Sequence, residues 1–147
     1  MIKKILILAV ALMAMAAQAA DEAGTVKVVK GLVTIERGNE KIAAKPGMKV
    51  LVGDRVVTGA DSSAGLTLRD NTLLSAGANS TLSLDKFSFN PTTHEGALDA
   101  ALRRGTLAVV SGKIAKASPQ AVQFRTPTAI LGVRGTEFVI EAGSGEN

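Results

Sequence analysis

His94 is the only histidine of the chain, and Glu95 stands directly beside it. An imidazole next to a carboxylate is the start of a metal site or a general base. No second histidine and no cysteine exists to complete a zinc-type ligand set. The surrounding run, Asn90-Pro91-Thr92-Thr93-His94-Glu95-Gly96, is rich in turn formers and has no apolar anchor, so His94 reads as a solvated loop residue. No Gly-x-Ser-x-Gly elbow presents a serine for nucleophilic attack. Asp54, Asp61 and Asp70 form a candidate carboxylate set, yet each neighbours glycine, serine or asparagine, the setting in which aspartate accepts backbone hydrogen bonds in a turn. No Asp-x-Asp-x-Asp-Gly loop offers calcium ligands, and Gly132-Val133-Arg134-Gly135 lacks the spacing of a phosphate-binding loop. The expectation is a chain with no catalytic residues, no metal site and no cofactor.

Arg134 is the sharpest single residue. Its guanidinium, held between Val133 and a turn at Gly135, has the fork geometry for a carboxylate, on a ligand or within the fold. A long cation flanked by apolar strand residues is accommodated most easily when its stem packs and its head binds backbone carbonyls or an aspartate. The internal reading is therefore preferred, with Gly135 allowing the bend and Thr136 bonding across it. On that reading Arg134→Lys destabilises the domain, because lysine loses the bidentate geometry.

The elements that must position these residues read as strands. Val26 and Val28, then Val33 and Ile35, alternate with polar neighbours around Lys30-Gly31. Gly38-Asn39 and Lys45-Pro46-Gly47 are turn signals, and a short strand over residues 48–52 follows. Gly53-Asp54 breaks that strand before residues 55–58, and Gly59 ends the next. Leu66 and Leu68 fall on one face with Thr67 and Arg69 on the other. Asp70-Asn71 is a turn; Leu73, Leu74, Leu82, Leu84, Phe87 and Phe89 supply the next apolar positions. Residues 97–104 have helix-forming alanines and leucines but are short and stopped by Gly105, so a strand is expected there. Strands over 106–110, 122–125 and 137–141 complete the series. About ten short strands with few helices make an all-β domain: a sandwich, a jelly roll or a twisted solenoid.

Lys3 and Lys4 precede an apolar run from Ile5 to Ala17, and Ala17-Gln18-Ala19 supplies a small-x-small cleavage site. This is the pattern of a secretory signal peptide cut near Ala19 or Ala20, since a spanning helix needs about 20 apolar residues. The expected organisation is a signal peptide at residues 1–20, a β domain at 21–141 and a flexible tail at 142–147. With no cysteine in 147 residues, neither a disulfide framework nor a lipid-anchoring thiol exists. Stability must come from packing and hydrogen bonds. The net charge is +4, from 17 basic and 13 acidic side chains, and falls to +2 when Lys3 and Lys4 leave with the leader. Mixed charges without tyrosine or tryptophan argue against a nucleic-acid partner.

Two separated motifs carry a resemblance. Gly53-Asp54-Arg55-Val56-Val57-Thr58-Gly59 is followed by Ser63, Leu66, Leu68, Asp70 and Asn71; the second is Thr126-Pro127, then Val133-Arg134-Gly135-Thr136 and Phe138. Together they resemble the FecR-domain family, with Asn71 where the family's Asp-Gly turn has glycine. The resemblance implies a wound, β-rich domain whose motif residues are structural. It also implies that a chain with only the exported part of a FecR-type regulator lacks the cytoplasmic sigma-regulatory segment and the membrane helix.

The function expected from these features is a non-enzymatic, periplasmic or secreted module that binds or scaffolds a protein or glycan of the bacterial cell envelope, without an integral membrane anchor. The alternative is an accessory in transmembrane signalling that contacts an outer-membrane receptor or sensor. Because relatives continue with further strands after the Arg-Gly-Thr segment, an exposed strand edge is expected near the C-terminus, open to β-augmentation or self-association.

Overall fold

The computed structural model describes residues 21–133 and 135–143. The expected signal peptide, Arg134 and residues 144–147 of the expected tail lie outside the described residues. The all-β expectation holds, with twelve strands among the described residues in place of about ten. They are β1 (Glu22–Lys30), β2 (Val33–Arg37), β3 (Glu40–Ala43), β4 (Lys49–Leu51), β5 (Arg55–Thr58), β6 (Ser63–Leu68), β7 (Leu73–Ala76), β8 (Thr81–Phe89), β9 (Gly96–Val110), β10 (Val122–Thr126), β11 (Ala129–Gly132) and β12 (Glu137–Ala142). A five-residue helix, α1 (Lys113–Ala117), and a 3-10 turn at Pro119–Ala121 join β9 to β10.

Nine strands follow one another in the order β3-β2-β5-β8-β9-β7-β6-β1-β4; β10 and β12 attach to β9, and β11 to β10. Among the described residues every pairing is antiparallel except β9 with β10. The sheet curls around one apolar cluster that takes Ile35, Val56, Leu82 and Leu84 from one arm and Val26, Leu66, Leu68 and Leu74 from the other.

β9 is the strand on which the curl turns. Its first half pairs with β8 and β10, its second half with β7 and β12. The segments expected as two strands, 97–104 and 106–110, are therefore one, because Arg104 pairs with Thr81 and Gly105 with Ala142, so pairing continues across the glycine. The core-facing residues are Leu98, Ala100 and Leu102, then Leu107 and Val109. The inward positions change from even to odd numbers. A bulge makes the change: Thr81 pairs with Arg104 but Leu82 pairs with Leu102. Gly105 follows at φ +94°, where a Cβ would stand 2.5 Å from Ser80 Cα, so only glycine fits. Without that extra residue one half of β9 would turn its leucines to solvent.

The same device appears in β8, where Leu84 pairs with Ala100 and Lys86 with Asp99, so that Leu82, Leu84 and then Phe87 all face inward. In β1 it corrects an expectation. A register shift between Val26 and Val28 leaves Val28 58% exposed, while Val29 packs against the core. β12 also runs one residue past 141, to Ala142, which is buried against the core.

Candidate functional site

Asp54 follows the Gly53 turn, where φ is +92° and the amide donates to the Leu84 carbonyl at 2.6 Å. It is 1% exposed. Its carboxylate accepts hydrogen bonds from Arg37 Nε at 2.9 Å, from Arg37 Nη2 at 2.8 Å and from the Leu51 amide at 2.8 Å. Arg37 Nη2 also donates to the Lys49 carbonyl at 3.3 Å. The hydrogen bond to Asp54 raises the pKa of Arg37 above its ordinary value, against the opposing pull of burial. Lys49 and Leu51 belong to β4, the last strand of its arm. An ion pair thus occupies backbone groups on an edge strand.

Asp70 is fully buried, and its carboxylate accepts from the Thr72 amide at 3.1 Å, the Thr72 hydroxyl at 2.8 Å and the Ile114 amide at 3.2 Å. Its own carbonyl accepts from the Lys113 amide at 2.8 Å. These bonds satisfy the first turn of α1, whose N-cap, Gly112, has no side chain to offer. A Cβ on Gly112 would stand 2.5 Å from both the Asp70 carbonyl oxygen and the Thr72 nitrogen. Asn71 completes the turn at φ +71°.

Thr58 donates its hydroxyl to the Gly77 carbonyl at 2.6 Å and accepts from the Ser80 amide at 2.9 Å. Gly59 donates to the Leu32 carbonyl at 2.9 Å and accepts from Asn79 at 3.0 Å. Asp54, Thr58 and Asp70 of the first motif are thus each engaged within the fold. His94 lies in its loop at φ +62°, with its ring stacked on Phe89 at 6.0 Å. Asp61 is an exposed turn residue at φ +51°. Among the described residues no three His, Cys, Asp or Glu side chains are grouped to hold a metal ion.

The second motif builds the β10–β11 hairpin and the start of β12. Thr126 and Pro127 close the β10–β11 hairpin, with the Thr128 amide on the Thr126 hydroxyl at 3.4 Å. Val133 packs against the core from the segment after β11. The Gly135 carbonyl accepts the Ser111 hydroxyl at 3.2 Å, and the Thr136 carbonyl accepts the Ser111 amide at 2.7 Å, which starts β12 in register with β9. Phe138 meets Phe124 edge to face, centroids 5.6 Å apart at 74°.

Among the described residues β11 and β12 are outermost strands, and each carries a large exposed apolar residue, Ile130 at 69% and Val139 at 67%. A groove of about 410 Å³ lies along them, lined by Ile130, Leu131, Gly132, Phe138, Val139 and Ile140. A second groove of about 410 Å³ also lined by Ile130 reaches Ala101, Arg103, Arg125 and Pro127. Arg125 is already engaged there, with Asp85 Oδ2 at 2.6 Å and Asp99 Oδ1 at 3.0 Å.

The backbone of β12 has a definite polarity. Antiparallel residues alternate between bonding across to their partner and pointing away from it. Since Thr136 bonds to Ser111, residues 138, 140 and 142 also turn their amides and carbonyls to β9, while those of Glu137, Val139 and Glu141 point outward. The same three residues carry the exposed side chains of the strand. The edge reads acid, apolar, acid.

Among the described residues the two motifs meet at the junction of β9 and α1, where Asp70 bonds to Lys113 and Ile114 while Gly135 and Thr136 bond to Ser111; Asp54 and Thr58 bond elsewhere. The sequence reading did not identify the Arg37–Asp54 pair, the Arg125 cluster, or β3 and β11. The Glu137-x-Val139-x-Glu141 alternation was the legible sign of the exposed face of β12. The family described as FecR protein matches residues 54–147, more than half of the chain. No curated protein and no solved structure matches it.

Proposed function

The chain belongs to the FecR protein family, and on that premise we propose that it is a non-enzymatic binding module of the bacterial cell envelope whose ligand is a protein. Family membership suggests a role in regulating cell-surface signalling. The observation that carries the proposal is the division of polar and apolar groups. Asp54, Thr58 and Asp70 are buried and engaged in internal hydrogen bonds, whereas Ile130 and Val139 stand exposed along two outer strands. Groups held this way position backbone and do not exchange protons with a substrate, while exposed apolar residues beside outward backbone groups suit a polypeptide. Among the described residues no helix is long and apolar enough to cross a membrane, which agrees with recognition outside the bilayer by this part of the chain.

Photo-crosslinking amino acids placed one at a time at Leu73, Thr93, Ile130 and Val139, in intact cells, test the proposal. A discrete adduct with one envelope protein from at least one position is expected. Adducts with no protein from any position, together with retention on purified peptidoglycan, would replace the protein ligand with a glycan. Catalytic turnover abolished by a single substitution would end the non-enzymatic reading.

A further inference from the structure

We propose that β12 is a docking edge for an extended polypeptide segment in which basic and apolar residues alternate, added to the sheet as one more strand. The proposal rests on the binding-module reading and specifies its site and the chemistry of its partner.

Three features of β12 coincide. Glu137, Val139 and Glu141 present the outward amides and carbonyls, so a new antiparallel or parallel strand finds a hydrogen-bonding ladder already in extended geometry. The groove of about 410 Å³ beside Phe138, Val139 and Ile140 gives apolar side chains of the incoming strand a place to leave water. The exposed carboxylates of Glu137 and Glu141 flank Val139 two residues away on each side. Strand side chains on one face recur every second residue, so the complementary partner places a cation, an apolar residue and a cation in the same rhythm.

A second copy of β12 does not meet that requirement. The antiparallel register that pairs all three outward residues sets Val139 against Val139 and each Glu137 against a Glu141, and parallel in-register pairing sets like against like as well. β4 is a poor complement too, because Asp54 and Arg37 occupy the Leu51 amide and the Lys49 carbonyl. The end of β1, with Lys27, Val28 and Lys30 exposed, has the right residue types but is only a short stretch interrupted by a bulge. The charge pattern therefore favours a different chain with a longer basic and apolar strand.

The test uses the purified protein and three capped heptapeptides: alternating lysine and valine, alternating glutamate and valine, and a blocked peptide with the lysine–valine composition. Titration is followed by amide chemical shifts. The alternating lysine–valine peptide is expected to shift the amides of Glu137, Val139 and Glu141 saturably and to bind at least about tenfold more tightly than the other two. Val139→Pro removes one outward amide at an edge position where proline is tolerated, and is expected to abolish the binding. The double variant Glu137→Lys, Glu141→Lys is expected to transfer preference to the glutamate–valine peptide, which a loss of folding would not do. Equal binding of the alternating and blocked lysine peptides, or unchanged binding to Val139→Pro, would overturn the proposal. Concentration-dependent self-association of the protein alone that Val139→Pro removes would overturn it in favour of a second copy. In the cellular crosslinking, adducts from Leu73 or Thr93 without any from Val139 would leave the protein-binding reading standing and this edge refuted.

Discussion

On one outer strand, β4, the Leu51 amide and the Lys49 carbonyl are bonded by Asp54 and Arg37, whereas on another, β12, Glu137, Val139 and Glu141 are exposed. Both edges use carboxylates, and burial decides what each does. Asp54 has lost its water and is tolerable only because Arg37 and the Leu51 amide replace it. Glu137 and Glu141 keep theirs. They stabilise nothing by desolvation, but they repel any strand that does not bring cations. One acid, paired with Arg37, closes an edge, and two others select what the open edge accepts.

On the buried side of this contrast the largest effect is expected at Asp70, whose carboxylate is fully buried and ties the β6–β7 turn to α1. Asp70→Ala leaves the Thr72 amide, the Thr72 hydroxyl and the Ile114 amide without their acceptor, a loss of about 3 kcal/mol by the usual cost of buried unpaired donors. Denaturant unfolding measures it. A loss below about 1 kcal/mol would mean that water reaches these donors and that the motif aspartate is not the anchor of α1.

Asp54→Ala is expected to cost less, about 2 kcal/mol, because the side chain of Arg37 is 36% exposed and hydrates once its partner is gone. The more telling consequence is at the edge. The Leu51 amide and the Lys49 carbonyl lose their partners or the group that holds them, so the variant is expected to associate at high protein concentration through β4. Light scattering at matched stability, compared with Asp70→Ala, separates edge exposure from simple destabilisation. Equal scattering from both variants would show that the Arg37–Asp54 pair does not protect the edge.

Much of the fold was legible because period-two alternation dominates it. Leu66 and Leu68 against Thr67 and Arg69 read directly as a strand with one buried face, and β6 has that pattern. The spacing of Leu82, Leu84, Phe87 and Phe89 also contained the bulge of β8, since an interval of three between two intervals of two turns the face over. The curl through Gly105 was harder, because glycine after two arginines is the ordinary sign of a strand end, and only pairing with Thr81 and Leu82 reveals a bulge. β3 and β11 were missed for another reason. Neither Glu40-Lys41-Ile42-Ala43 nor Ala129-Ile130-Leu131-Gly132 buries a face completely, so neither shows an alternation to read. Partnerships such as Arg37 with Asp54, 17 positions apart, leave no local trace.

The smallest expected effect on stability belongs to the open edge, and its smallness is what separates a docking strand from a structural one. Val139→Pro deletes an amide that points away from β9, and its side chain is 67% exposed, so little core contact or ladder bonding is lost. Replacing Glu137 and Glu141 by lysine changes two solvated charges on the same face. Each variant is expected to stay within about 0.5 kcal/mol of the parent in denaturant unfolding, as surface substitutions do. A loss above about 1.5 kcal/mol for Val139→Pro would mean that the Val139 amide is bonded inside the fold. The alternation inferred from Thr136 and Ser111 would then be out of step, and β12 would be a second closed edge.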